Sequence, residues 1–104
     1  MTTEVSDHPD RNRFELEEDD ALVGIVTYRL TGGTIDLLHA EVDPDHRGRG
    51  LAGVLVRSVL DDARSRGLDV LPHCPFVAAF IDGHRGEFLD LVPVGRRAQC
   101  GLDG

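Results

Sequence analysis

Between Val42 and Leu51 the apolar residues stop alternating and begin to recur at helical spacing, with a glycine-rich turn between the two regimes. That single change of period limits the folds open to the chain. Upstream, Phe14 and Leu16 alternate with Glu15 and Glu17, the pattern of a short half-buried strand. Glu18-Asp19-Asp20 reads as a turn, Ala21–Leu30 as a second strand rich in Val, Ile, Thr and Tyr, and Thr31-Gly32-Gly33 as another turn before a third strand, Thr34–Val42. Connections this short predict an antiparallel three-strand meander. Downstream, Leu51, Val54, Leu55, Val59 and Ala63 define one face of a helix from about Gly50 to Arg66, stopped by Gly67. Leu68–Pro72 reads as a further strand reached by the helix crossover. Pro75 opens a second helix that ends near Gly83, and Glu87–Val92 reads as a last strand. The expected class is α+β with mixed α/β layers. Residues 1–12 are expected to be a flexible N-terminus, 13–94 the domain, and 95–104 a flexible C-terminal tail.

Length and charge narrow the partners. With 104 residues there is room for one compact domain. The formal charge is −8, and all 11 basic residues are arginine. An acidic surface disfavours a nucleic acid, whose affinity comes mostly from neutralised phosphates, and favours cationic molecules such as polyamines, amino sugars or basic protein tails. No segment approaches a membrane span, and the polar start lacks the pattern of a signal peptide, so no membrane partner and a cytoplasmic location are expected. Cys74 and Cys100 make no disulfide framework. With His73 and His84 they also lack metal-ligand spacing, so no metal site is expected.

The turn His46-Arg47-Gly48-Arg49-Gly50-Leu51-Ala52-Gly53 carries the most chemistry. It stands at a helix N-terminus, where unpaired amides and the helix dipole favour an anion. Glycines let a phosphate approach the backbone, and arginines add charge-assisted bonds. A nucleotide-hydrolysing loop is excluded, since no Gly-Lys-Ser/Thr is present. The dinucleotide spacing of Gly48, Gly50 and Gly53 fails on context, because the five residues Asp43–Arg47 separate it from a strand that reads as antiparallel.

The same residues read as Arg47-x-x-Gly50-x-Ala52, which resembles the acyl-CoA-binding motif of the GNAT superfamily. His39-Ala40-Glu41-Val42 before the turn and Val70-Leu71-Pro72-His73-Cys74-Pro75-Phe76 after the helix resemble a subfamily of very small GNAT-like proteins with a Pro-x-Cys segment. That subfamily usually has threonine at the position of Ala40. The resemblance covers Phe14 to Val92. It implies a GNAT-like fold and acetyl-CoA as co-substrate, with pyrophosphate held by Arg47, Gly48, Arg49, Gly50, Leu51 and Ala52. The third strand, ending at Val42, would lie along the pantetheine arm. It implies an N-acetyltransferase, or alternatively a non-catalytic acyl-CoA-binding or protein-interaction module.

Acetyl transfer needs a neutral amine and a proton for the leaving thiolate. Cys74, just past the further strand, could act as nucleophile or proton donor, or simply pack at a helix start. His39 and Glu41 project from one face of the third strand and could take the amine proton. His73 ranks lower, and no tyrosine follows Tyr28 to serve as acid. The acceptor amine is not specified. An open, acidic site suits a cationic small molecule or a lysine-bearing tail, and a chain without lysine cannot acetylate itself on a lysine side chain.

Overall fold

The computed structural model describes residues 3–46 and 50–102. Five strands form one sheet in sequence order: β1 (Thr3–His8), β2 (Arg13–Glu18), β3 (Ala21–Thr31), β4 (Thr34–Val42) and β5 (Asp69–Pro72). The first four are antiparallel, as short turns require, and β5 is parallel to β4. Helix α1 (Leu51–Ser65) makes the crossover between those two strands, and α2 (Pro75–Asp82) and α3 (Arg85–Phe88) follow β5. This is the α+β layered architecture expected from the change of period.

The helices lie on one face of the sheet. Phe14, Leu16, Val26, Tyr28, Ile35 and Leu37 bury against Leu51, Leu55, Val56, Val59 and Leu60 of α1. Gly67, in the left-handed conformation at φ +68°, ends that helix, and the Leu68 amide closes on the Ala63 carbonyl. On the other face, lateral neighbours across β1 to β4 run His8, Arg13, Thr27, His39 and, one row on, Ser6, Glu15, Ile25, Glu41.

Three expectations need correction. Residues 3–8, read as part of a flexible terminus, form the edge strand β1. Only Val5 packs on the core, so the strand rests on its backbone ladder with β2, which leaves no apolar alternation to read. Glu87–Val92 is not a strand. Phe88, Leu91 and Val92 fall on one helical face, and α3 continues into a 3-10 turn over Leu89–Leu91. The tail is built in as far as Leu102, which is fully buried, and the Arg97 guanidinium donates to the carbonyls of Leu89 and Val92.

Tyr28 ties β1 to the core, its hydroxyl donating to Asp7 Oδ1 at 2.6 Å. Burial, then the bond to Asp7, pushes the phenol up to about 12. Its folded pKa lies above the unfolded value near 10. The stabilisation is therefore complete below pH 10 and is lost as the pH rises through about 12. We expect denaturation free energy to fall by on the order of 2 kcal/mol across that interval. Tyr28→Phe should remove the dependence. As the only tyrosine in the chain, its ionisation can be followed by ultraviolet absorbance; a midpoint at 10 would refute the assignment.

Candidate functional site

Strands β4 and β5 pair only from Thr34/Asp69 to Leu37/Pro72, and the last bond joins the Cys74 amide to the Leu37 carbonyl. Beyond it the strands part. Among the described residues, Leu38–Val42 has no strand on its other edge, while His39–Val42 keeps its ladder to β3. The parting coincides with a bulge: Thr27 faces His39 and Tyr28 faces Leu37, so Leu38 is an extra residue with no partner. The bulge changes which residues face the helices. Before it Ile35 and Leu37 are buried there; after it Ala40 takes that side, packed against the core, while His39 and Glu41 turn to the helix-free face.

A cleft of about 400 Å³ opens where β4 has lost its neighbour. Its walls are the stretch His39–Val42 on one side, with Ala52, Leu55 and Val56 of α1 and Phe76 of α2 on the other. The floor is apolar and the rim carries polar groups. Gly24 lets α1 come this close to the sheet: a Cβ there would meet the Glu41 carbonyl at 3.2 Å and Leu55 at 3.3 Å. A glycine inside an apolar strand is the available sequence signal for such an approach.

At one end the cleft meets the start of α1. Gly50 is the N-cap in the left-handed conformation, φ +74°, which only glycine adopts without strain. The first amides of α1 have no helical acceptor, and Leu51 is buried while Ala52 lines the cleft. Arg47, Gly48 and Arg49, expected to hold pyrophosphate, lie outside the described residues. The described part of the site fits a coenzyme with a long amide-bearing arm and an anionic head. A free strand edge offers alternating donors and acceptors to the arm, and a helix N-terminus stands ready for the anion.

His39 and Glu41 lie together, Nε2 to Oε2 at 3.6 Å, both about 60% exposed at 61% and 63%, and both on the cleft wall. Cys74 is elsewhere. It is the N-cap of α2, is 4% exposed, belongs to the core cluster and does not line the cleft. His73 pairs with Asp36, Nε2 to Oδ1 at 3.5 Å. Cys100 is half-buried, and burial pushes its thiol up, away from reactive thiolate. Among the described residues no cluster of His, Cys, Asp and Glu could hold a metal, and no helix is long and apolar enough to cross a membrane.

The sequence profile of the GCN5-related N-acetyl-transferase family matches residues 13–91. Among solved structures, a GCN5-like protein from Staphylococcus aureus superposes with a TM-score of 0.66 at 21% identity, over 86% of this chain and 87% of that one. The ribosomal-protein-S18-alanine N-acetyltransferase of Escherichia coli gives 0.54 at 22% identity, over 56% of this chain and 38% of that one. The ribosomal-protein-alanine N-acetyltransferase of Brucella melitensis biovar Abortus 2308 gives 0.51 at 29% identity, over 57% and 44%. This chain thus spans less than half the length of the two ribosomal-protein acetyltransferases. Comparison with curated proteins by sequence finds no match.

Proposed function

The chain belongs to the GCN5-related N-acetyltransferase family, and from that footing we propose that it transfers an acetyl group from acetyl-CoA to an amine. The observation that carries this reading is the edge of β4 over Leu38–Val42, unpaired among the described residues and facing α1 across an open cleft that reaches Ala52, two residues past the Gly50 N-cap. In this reading the β4 edge holds the pantetheine arm. Arg47, Gly48, Arg49, Gly50, Leu51 and Ala52 hold the pyrophosphate, and Val42, at the end of β4, lies along the arm. The Pro-x-Cys segment aligns the protein with the very small members of the family. The transferase unit takes in residues 3–102 rather than 13–94, because β1 and Leu102 are built into sheet and core. A cytoplasmic location belongs to the same proposal, since acetyl-CoA is available there.

Acetyl-CoA supplies an activated acyl group when bound. The chain's own part is proton handling. Glu41, assisted by His39, takes the proton that the amine nitrogen gives up as it bonds to the carbonyl carbon. A proton must also reach the sulfur as the carbon–sulfur bond breaks, and the open cleft admits water to deliver it. Cys74 is the third candidate. Its burial favours direct transfer to the amine over an acetyl-cysteine relay.

The test is a titration of the intact chain with acetyl-CoA, followed by backbone amide shifts, with desulfo-coenzyme A as the non-reactive control. Saturable shifts at Leu38–Val42 and Gly50–Gly53 are expected. Their absence at millimolar ligand would remove the donor site and the enzyme reading with it. Intact mass after mixing with acetyl-CoA should show no acetylated cysteine; a stable adduct at Cys74 would establish the relay instead.

A further inference from the structure

A second cleft, of about 280 Å³, lies on the helix-free side of β4. Arg13, Leu22, Ile25, Glu41 and Asp43 are among its walls. Glu41 and Val42 line both clefts, and the Glu41 side chain is on the helix-free face, the side of this one. One strand separates the two spaces.

Arg13 is held in an unusual way for a surface residue. Its Nε donates to Glu15 Oε2 at 2.7 Å, and Glu15 is only 5% exposed although it lies on the helix-free face. The bond to Arg13 holds the Glu15 carboxyl below its ordinary range, against the upward push of burial, and Arg11 and His8 also approach it. A buried carboxylate is costly unless it is paired, and this one fixes a guanidinium by its inner nitrogen. The two terminal nitrogens of Arg13 make no hydrogen bond among the described residues. They are a pre-oriented fork without an acceptor, in the wall of a cleft whose far side carries Glu41.

Resting on the transfer reading above, we infer that this cleft is the acceptor site and that it takes an amine which also carries a carboxylate on an apolar frame. The carboxylate sits on the terminal nitrogens of Arg13, the apolar part lies over Leu22 and Ile25, and the amino group stands at Glu41. Arg13 and Glu41 are two strands and one row apart, with Cα atoms roughly 12 Å from each other by ordinary sheet spacing. Both line the cleft, together with Ile25, which faces Glu41 in register. A free amino acid and the carboxylate-bearing end of a short peptide share this chemistry. The net charge of −8 favours cations at long range. That field is screened beyond roughly 8 Å at physiological salt, so a direct Arg–carboxylate contact decides selectivity inside the cleft.

The experiment compares leucine with leucinamide, and leucylglycine with leucylglycinamide, by amide shifts of the full-length protein. Each pair differs only in the carboxylate. The acid of at least one pair should shift Leu22–Ile25 and Asp43 saturably, and bind about tenfold tighter than its amide. Which pair responds separates the free amino acid from the peptide end. In Arg13→Gln the acid should bind no better than the amide, and Arg13→Lys should recover part of the difference. Equal affinity of acid and amide, or no shift at those residues from any probe, overturns the inference. If Arg13→Gln does not fold, the acid–amide comparison in the unaltered protein decides alone. Shifts at Leu38–Val42 with desulfo-coenzyme A are scored separately. Their loss would sink the transfer reading, while the probe comparison would still decide the cleft.

Discussion

Replacing Glu41 with glutamine is expected to slow acetyl transfer by about 10²–10⁴-fold, the usual contribution of a placed general base. Glutamine keeps the size of the side chain and its ability to accept a hydrogen bond, and loses only the ability to carry the proton away. Coenzyme affinity should be largely preserved, because the arm would be held by the backbone edge of β4 rather than by this side chain. The paired readout matters. A variant that binds coenzyme as before and transfers slowly locates Glu41 in the chemical step. His39 lies 3.6 Å away and can support a residual rate, so the double replacement with His39→Gln should fall further than either alone. If Glu41→Gln transfers at the full rate in steady-state assays, the proton goes elsewhere and the assignment is wrong.

The largest loss of stability is expected from Phe88→Ala, about 3–5 kcal/mol for a buried phenylalanine. Phe88 is 2% exposed and stands where α3 meets α1. Its ring lies 5.1 Å beneath the Arg57 guanidinium and 6.0 Å from Phe80, and Arg57 is held over both rings by Glu87. Truncation would remove the ring, leave a cavity and strip the guanidinium of a neighbour. A domain of this size has about 5–15 kcal/mol in total, so the variant should be partly unfolded at physiological temperature. Urea denaturation of the two proteins checks this. A difference below about 1 kcal/mol would mean that the site collapses around the loss.

Helix α1 was readable because its apolar residues repeat at helical spacing and Gly67 marks its end. Helix α2 was readable from Pro75 and Gly83. Both signals are local. Strand β1 had none to offer, since a ladder of backbone bonds to β2 leaves no mark on residue type beyond Val5. Phe88, Leu91 and Val92 could belong to either period over so short a stretch, and packing on α1 settled it as helix. At the site, the shared face of His39 and Glu41 follows from alternation alone. The burial of Cys74 does not, because residue type says nothing about whether a thiol at a helix start faces a cleft or the core. Arg13 was illegible for a different reason. Its setting is built laterally, from Glu15 beside it, Thr27 on β3 and Glu41 on β4, and no linear pattern records neighbours brought together by strand register.

The unpartnered Leu38 gives β4 one residue more than its faces need. Loss of that single codon would leave the composition of the strand almost untouched and would restore strict alternation, with His39 following Leu37 and still opposite Thr27. Ala40 would stay toward α1, and His39 and Glu41 would stay on the outer face. What would go is the local bend and added twist that a bulge gives a strand, at the point where β4 parts from β5. The extra residue therefore serves the course of the strand and not the order of its faces, and a shortened β4 would carry the same side chains on a straighter edge.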